Sequence, residues 1–487
     1  MNCASILPLE SQPILVCEKP IPQNAVGNHS LGQFMAIPSV SIHGQWSSRW
    51  VFILAATGSA VGLGNIWRFP YVTGENGGGA FVLIYFVCVI AVGLPIMIGE
   101  TLIGRRGRQS PINSLKAIAA QQGFSANWQF LGWLGMLAGF LILSFYSVVA
   151  GWSVAYIFSV GAGTFTDATS QVSADEFKAL TDSAPRLLWW HSLFMLMTMF
   201  IVARGVQGGL EQAVRWLMPA LFLLLFGMVV YAINVGDFGA ALNYLFRPDF
   251  SQVTADTVLL ALGQAFFSLS LGMGSIIVYG SYLPADTSIP RTIGLVALCD
   301  TGVAVLAGLA IFPLVFGFNL EPGSGPGLVF VTLTTAFGQM PGGQLVGALF
   351  FVLLAVAGWT SAISILEPMV AWLVEALHWS RHKASAIAGG AVWFLGVGSV
   401  LSFNYWAEFE PMGRNFFGWS EFLSTSVMLP TGGLLVAVFA GWRMSRASTL
   451  DELGLSAGVI YGAWRFLARF VAPLGVFVVF LNALDLV

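Results

Sequence analysis

The sequence is poor in charged residues. Asp, Glu, Lys and Arg make up only 9% of its 487 residues, whereas soluble domains carry about 25%. Hydrophobic residues make up 57%, and the mean hydropathy is +0.81. A soluble protein of this size could not cover its surface with so few charges, whereas the lipid-facing surface of a membrane protein is apolar. The composition therefore excludes a soluble globular protein and predicts an all-α integral membrane protein.

Other absences exclude further classes of function. The formal net charge is −3, so no basic surface indicates a nucleic-acid partner. The four cysteines are scattered and predict no disulfide framework. No P-loop motif occurs. His378 and His382, which lie near each other, fall in a charged loop. The sequence therefore does not indicate an enzyme.

Hydropathy and helix breakers predict about eleven transmembrane helices. Their approximate ranges are 50–73, 80–103, 128–160, 187–202, 213–235, 258–282, 292–318, 345–377, 384–402, 422–442 and 464–484. The segment 325–341 is interrupted by Gly and Pro, and is predicted to form a short re-entrant or surface hairpin instead of a crossing.

Three regions are expected along the chain. Residues 1–45 lack a cleavable signal peptide and are predicted to be a disordered cytoplasmic extension, or in part a mis-assigned start upstream of Met35. Residues 46–442 are predicted to form a ten-helix core. Residues 443–487 are predicted to form a cytoplasmic loop and the eleventh helix.

The positive charges predict the orientation. If the N-terminus is cytoplasmic, 15 of the 20 Lys and Arg residues lie on the inner side and four on the outer side, with Arg68 inside the first span. The positive-inside rule then places the N-terminus in the cytoplasm and the C-terminus outside.

The first span contains residues that a bilayer-spanning helix normally avoids. Gly58, Gly62 and Gly64 lie within seven residues and are followed by Asn65 and Arg68. Irregular backbone is tolerated at membrane depth only where it lines a cavity or binds something. The sixth span has a similar interruption at 263–274, with three glycines, one glutamine and two serines. Two interrupted helices, one opening each half of the core, indicate a transporter site. Close helix packing by small residues is the alternative.

Polar residues also interrupt the seventh and eighth spans. Asp300 stands in an apolar stretch, and an intramembrane carboxylate indicates a functional site that needs a cation or a proton. Thr360 and Ser361 are adjacent hydroxyls in a lipid-length helix. They are candidate ligands for a hard cation, although such hydroxyls often bond to carbonyls of their own helix.

These residues resemble the neurotransmitter:sodium symporter family, and particularly its bacterial amino-acid transporters of the LeuT fold. The most specific part runs from Gly58 through Arg68-Phe69-Pro70 to Glu75-Asn76-Gly77-Gly78-Gly79-Ala80-Phe81. The resemblance extends from Trp46 to the C-terminus, and the twelfth span of some members is absent. It implies a 5+5 inverted repeat with broken first and sixth helices, which is the architecture of LeuT-type transporters in general.

The resemblance implies two sodium sites and no organic cofactor. Residues for the first sodium site, which the substrate carboxylate joins in family members, are Ala60, Asn65, Ser268 and Asp300. Residues for the second are Gly58, Val61, Ala357, Thr360 and Ser361. A proton could replace sodium at Asp300.

The resemblance also implies a substrate site between the broken helices. The substrate carboxylate would meet the N–H groups of Leu63 and Gly64 and the hydroxyl of Tyr146, and the ammonium would meet carbonyls near Ser59, Phe267 and Ser270. The full set of substrate-binding residues is Ser59, Ala60, Gly62, Leu63, Gly64, Ile142, Tyr146, Phe267, Ser268, Ser270, Met273, Ser361 and Ile365.

Two of these positions imply a substrate class. Monoamine carriers have an aspartate where this chain has Gly62, so the substrate is expected to bring its own carboxylate. Met273 can repack around bulky groups. The expected substrate is therefore a neutral hydrophobic amino acid, and within that class a large or aromatic one.

Gating residues follow from the same resemblance. Arg68 and Glu421 would form the outer ion pair. Glu375 and Tyr282 would belong to the inner gate, where His43 replaces the arginine of relatives. Gly209 and Pro219, in the fifth helix, would permit local unwinding near the second sodium site.

The function implied is sodium-coupled symport of an amino acid into the cell, across a bacterial inner membrane. Chloride-dependent members have an asparagine and a serine where this chain has Asp300 and Ala304, so chloride-independent transport is expected. The alternative is a sodium-dependent sensor that binds the same ligands without net flux. The sequence does not indicate the oligomeric state.

Overall fold

The structure, a computed structural model, describes residue 38, residues 40–321 and residues 327–483. Most of the predicted N-terminal extension, residues 1–45, lies outside this part. The described residues form helices and connecting loops, and no strand occurs among them. The helices are α1 Arg49–Ala60, α2 Gly64–Glu75, α3 Gly79–Gly107, α4 Pro111–Gln121, α5 Ala126–Gly161, α6 Ser170–Thr181, α7 Ala184–Ala203, α8 Val206–Val235, α9 Phe238–Phe246, α10 Ala255–Ser268, α11 Ser275–Ser281, α12 Ile289–Gly317, α13 Leu328–Gln339, α14 Gly343–Leu377, α15 Arg381–Leu401, α16 Phe416–Arg443, α17 Arg446–Leu453 and α18 Val459–Val478.

The predicted spans correspond closely to these helices. Nine helices in the described ranges are long and apolar enough to cross a bilayer, and the bent pair α1 and α2 makes a tenth span. The sixth predicted span consists of α10 and α11, each too short to cross alone. Within the described part of the segment 325–341, the structure shows the short apolar helix α13, which agrees with the prediction that the segment does not cross.

Local sequence explains where several helices begin. Ser48, Thr254 and Ser380 each accept a backbone N–H in the first turn of the helix that follows, which satisfies one of the donors that a helix start leaves free. Pro111 stands at the first position of α4, where the missing N–H costs nothing. These caps fix the helix ends, whereas membrane and core packing fix the rest.

The core surrounds the broken spans. The long helices α5 and α14 pack against each other, and α14 and α12 both pack against α1. The π-helical segments Gly64–Arg68 and Phe422–Met428 widen α2 and α16 locally. This arrangement encloses the two helix breaks with polar side chains from α5, α12 and α14.

Candidate functional site

The first span is broken between α1 and α2, which bend by 52°. Val61 is extended, with ψ of 107°. The Gly62 N–H donates to Asn65 Oδ1 at 3.2 Å, and the Leu63 N–H donates to the Tyr146 hydroxyl at 3.2 Å. A Cβ on Gly62 would lie 2.5 Å from Ser361 Oγ. The break therefore presents main-chain groups inward and leaves no room for a side chain at Gly62.

The sixth span is broken between Ser268 and Ser275. Three residues there have positive φ, namely Ser270 at 54° and Gly272 and Gly274 at 80°. A Cβ on Gly272 would lie 2.5 Å from the carbonyl oxygen of Leu429, so only glycine fits. The two breaks also touch each other, because Ser270 Oγ donates to the Ser59 carbonyl at 2.8 Å.

A buried polar cluster lies beside the breaks. Asn65 Nδ2 donates to Asp300 Oδ1 at 2.8 Å and to Ser268 Oγ at 3.0 Å. Ser268 Oγ donates to Asp300 Oδ2 at 2.6 Å, and the Tyr85 hydroxyl donates to Ser268 Oγ at 3.1 Å. Each of these four side chains is buried. The structure thus brings Asn65, Ser268 and Asp300 together.

A second cluster joins the eighth span to the first. Ser361 Oγ lies 3.4 Å from the carbonyl oxygen of Gly58, 3.2 Å from that of Ser59 and 3.2 Å from that of Val61. Main-chain oxygens of α1 and its break therefore converge on one hydroxyl.

Thr360 behaves differently from its neighbour. Its hydroxyl donates to the carbonyls of Val356 at 3.3 Å and of Ala357 at 3.1 Å, both in its own helix. Such bonding within a helix is the alternative that the sequence left open for adjacent hydroxyls. In this structure it holds for Thr360, whereas Ser361 reaches across to the first span.

The oxygen atoms of both clusters are suitable ligands for sodium. They are carbonyl, hydroxyl, amide and carboxylate oxygens, which hard cations prefer. The Asp300 carboxyl group contributes both of its oxygens to the first cluster. No group of three or more His, Cys, Asp or Glu residues able to hold a metal ion occurs within the described ranges.

The residues predicted for the substrate pocket lie on one face of α5 or opposite that face. Ile142 and Tyr146 belong to this helix and are buried. A Cβ on Gly139 would lie 3.3 Å from Ile365 Cγ2, and one on Gly135 would lie 3.2 Å from the Met273 carbonyl carbon. Positions 135, 139, 142 and 146 recur on the same side of a helix. The pocket is therefore walled by α5, the sixth break and α14.

A cavity of about 280 Å³ lies next to this site. We call it the outer cavity because its lining includes the residues predicted for the outer ion pair. Its lining includes Leu63, Trp67, Arg68, Tyr71, Phe145, Tyr146, Val149, Trp152, Phe177, Phe267, Gly327, Phe403, Phe417 and Glu421. The Arg68 guanidinium lies 5.1 Å from the centroid of the Phe267 ring. Arg68 and Glu421 line the same cavity, but no ion pair joins them in the described part of the chain.

The opposite side of the site is closed by two buried carboxylates. Glu375 accepts hydrogen bonds from the Ser110 N–H and Asn113 Nδ2, both at 2.7 Å, and lies 3.0 Å from His43 Nε2. His43 and Glu375, the two residues expected to face each other at the inner gate, are thus in contact.

The second carboxylate belongs to Glu367, which the sequence analysis did not identify. Glu367 accepts from the Tyr282 hydroxyl at 2.6 Å and pairs with Arg381, while Arg381 Nη2 also donates to the Val202 carbonyl at 3.0 Å. We call Glu367, Glu375, His43, Tyr282 and Arg381 the inner network. Glu367 could have been identified from the sequence, because it is a charged residue inside the apolar run of α14.

The fifth predicted span corresponds to α8, and this helix begins with a crowded turn. A Cβ on Gly209 would lie 2.1 Å from the carbonyl oxygen of Ile201, and Pro219 lies inside α8. Glu211, also absent from the sequence predictions, accepts from the Ser47 N–H at 3.1 Å and pairs with Arg215 at 2.6 Å. The start of α8 is therefore tied to the start of α1.

Comparison with known proteins is consistent with this architecture. The structure of MhsT in complex with L-phenylalanine superposes with a TM-score of 0.84 at 42% sequence identity, and the match covers 90% of this chain and 99% of MhsT. The LeuT-type fold is thus confirmed. An uncharacterized sodium-dependent transporter of Bacillus subtilis, YhdH, is 37% identical over 91% of this chain and 98% of its own length.

A second relative and the family profile agree. An uncharacterized sodium-dependent transporter of Haemophilus influenzae is 34% identical over 90% of this chain and 98% of its own length. The profile of the sodium:neurotransmitter symporter family matches residues 43–176 and 165–485. These relatives are transporters and not enzymes. The chain therefore belongs to the sodium:neurotransmitter symporter family and is a sodium-dependent transporter.

Proposed function

We propose that this chain carries a neutral hydrophobic L-amino acid into the cell together with sodium, and that large or aromatic side chains are preferred. The observation that carries the proposal is the meeting of two broken helices between two oxygen clusters. The Leu63 N–H and the Tyr146 hydroxyl, which contact each other in this structure, would turn to a substrate carboxylate, and carbonyls of both breaks would accept from its ammonium group.

Two sodium ions are proposed. The first would be held by Ala60, Asn65, Ser268 and Asp300, and the second by Gly58, Val61, Ala357, Thr360 and Ser361. Bound sodium would supply positive charge that compensates Asp300 and the convergent carbonyls. Asn65, Asp300 and Ser361 orient these oxygens through hydrogen bonds between helices. Occupancy would therefore stabilise one arrangement of the breaks over another, which couples the ions to the substrate.

The amino-acid substrate would be recognised at both ends. The positive end of α2 and the N–H groups of Leu63 and Gly64 favour a carboxylate, which Tyr146 would also contact. Carbonyls near Ser59, Phe267 and Ser270 would take the ammonium.

The substrate side chain would be selected by packing. It would lie among Ile142, Met273 and Ile365, which offer no polar partner and so disfavour charged substrates. The crowding at Gly62 supports a substrate with its own carboxylate, because an aspartate does not fit there. The phenylalanine bound by MhsT supports the same substrate class.

Chloride-independent transport is proposed from the position of Asp300. Its carboxylate contacts Ser268 and lies 3.5 Å from the Tyr85 hydroxyl, and so provides a fixed negative charge where chloride-dependent relatives bind the anion. Ala304, in the next turn of α12, cannot ligate an anion.

Alternating access would use the inner network and the outer cavity in turn. Arg68 and Glu421 would approach over the substrate when the outer cavity closes, while Glu375, Tyr282 and their partners would separate. Local unwinding between Gly209 and Pro219 would hydrate the second sodium site. The charge distribution supports a bacterial inner membrane with the N-terminus cytoplasmic and the C-terminus outside.

Uptake into proteoliposomes tests the proposal. An inward sodium gradient is expected to drive accumulation of labelled tryptophan, tyrosine or leucine, with no requirement for chloride, whereas a potassium gradient drives none. Gly62→Asp is expected to abolish accumulation, and Gly294→Ala, where a Cβ meets nothing within 4 Å, provides the matched control. Sodium-dependent binding without accumulation would instead identify a sensor.

A further inference from the structure

Glu100 is a buried carboxylate that the proposed transport mechanism does not use. It lies on α3 and is fully buried. Oε1 accepts a hydrogen bond from the Gly272 N–H at 2.7 Å. Oε2 is buried and has no hydrogen-bond partner. A carboxyl group with one satisfied oxygen and one unsatisfied oxygen, inside a membrane protein, requires an explanation.

The elements that pack against this part of α3 are α4, α11, α12, α16, α17 and α18. Their charged and titratable groups, together with those of α3 itself, are Tyr85, Cys88, Arg105, Arg106, Lys116, Tyr279, Arg291, Cys299, Asp300, Glu421, Arg443, Arg446, Asp451, Glu452, Tyr461, Arg465 and Arg469. None of them forms a hydrogen bond or an ion pair with Glu100 in the described ranges.

The nearest cations along the sequence are occupied by other partners. Arg105 pairs with Glu452 and donates to the Thr287 carbonyl. Arg106 donates to Gln121 at 3.1 Å. Glu100 therefore has no counter-charge. An ionised carboxylate held by one N–H donor in an apolar interior is costly, and such groups neutralise by binding a proton.

We propose that Glu100 is a proton-binding site, protonated on Oε2 in this conformation, and that it exchanges its proton with water when the sixth-span break rearranges. The balance is simple, because the carboxylic acid becomes a carboxylate and the proton passes to water. Glu100 lies seven residues before the end of α3 at Gly107, about 10 Å along the helix, and this end is predicted to be cytoplasmic.

Glu100 is linked to the sixth-span break by its hydrogen bond from the Gly272 N–H. Gly272 stands between Ser270 and Met273, both proposed to face the substrate, and its main chain lies so close to α16 that an added Cβ would be 2.5 Å from the Leu429 carbonyl oxygen. Loss of the proton would place a charge beside this N–H and would favour conformations in which water enters. The transport consequence rests on the proposed function, whereas the proton itself does not.

Infrared spectroscopy of the purified full chain tests the site without transport. At neutral pH the wild type is expected to show the C=O band of a protonated carboxyl that Glu100→Gln lacks. Glu410→Gln, which removes an exposed carboxyl, is expected to leave the band unchanged. Identical protonated-carboxyl bands in the wild type and Glu100→Gln would overturn the proposal.

The pH profile of sodium-dependent uptake tests the coupling. Wild-type uptake is expected to fall at alkaline pH, by up to about tenfold for each pH unit of a single-proton titration. Glu100→Gln is expected to remove this fall, and Glu100→Asp, which keeps a titratable group, to retain one. A fall retained by Glu100→Gln would overturn the coupling. If no variant transports, the proposed function fails, and the infrared result still decides the proton site.

Discussion

The two sides of the substrate site are built differently. On the inner side, Glu367 and Glu375 are buried and each carries several hydrogen bonds and a basic partner. On the outer side, Arg68 and Glu421 line a cavity of about 280 Å³ without pairing in the described part of the chain. The inner side is therefore held together by specific polar contacts, whereas the described residues show no such contact between Arg68 and Glu421.

The two sides are also expected to differ in the free energy that is lost when a charged residue is replaced. A buried ion pair costs much when one partner is removed, because the other charge stays buried. Arg68 and Glu421 line the outer cavity without an ion pair between them in the described ranges, so neutralising one of them breaks no such contact. The inner and outer residues should thus respond unequally to substitution, and the following variants test this inequality from the largest expected effect to the smallest.

The largest effect is expected for Glu367→Gln. Arg381 is only 16% exposed and its partner Glu367 is fully buried, so loss of the carboxylate is expected to destabilise the closed inner side by about 3–5 kcal/mol. Hydrogen exchange measured by mass spectrometry should show faster exchange in α1 and α11. Unchanged exchange in both helices would show that Glu367 does not hold the inner side closed.

A smaller effect is expected for Gly209→Ala. Its Cβ would meet the Ile201 carbonyl oxygen, and such crowding costs about 1–3 kcal/mol. Gly208→Ala is the matched control, because a Cβ there meets nothing within 4 Å. Thermal unfolding in detergent should separate the two variants. Equal melting temperatures would mean that the turn at the start of α8 relaxes freely.

The smallest effect on the closed inner side is expected for Glu421→Gln. Because no ion pair is lost, exchange in α1 and α11 should change by less than about 0.5 kcal/mol. Uptake should nevertheless fall, since the outer cavity must close during transport. An exchange response as large as that of Glu367→Gln would remove the distinction between the two sides.

The sequence predicted the breaks because they violate the rules of an ordinary spanning helix. Gly58, Gly62 and Asn65 have no reason to stand together in an apolar run, and neither have Ser268 and Gly272. The structure shows that crowding by neighbouring groups, such as Ser361 at Gly62, enforces these choices. Local exceptions of this kind are readable without tertiary information.

The sequence did not indicate which residues of the inner network pair with one another. Glu367 and Arg381 lie 14 residues apart on different helices, and nothing local indicates that they pair. The start of α8 at Val206 instead of residue 213 was also missed, because Gly205, Gly208 and Gly209 suggest a loop while a π-helical turn continues the helix. Both errors arise because packing between helices decides the outcome.

The carbonyl oxygens of Gly58, Ser59 and Val61 belong to the main chain, and no codon change can delete them. The side chains at Ile142, Met273 and Ile365 are, in contrast, open to replacement one at a time. Under the proposed function, the groups that would bind sodium and the substrate ammonium are thereby separated from the groups that would select the substrate side chain. Substitutions at the pocket side chains would therefore change the proposed substrate selectivity and leave these main-chain oxygens in place.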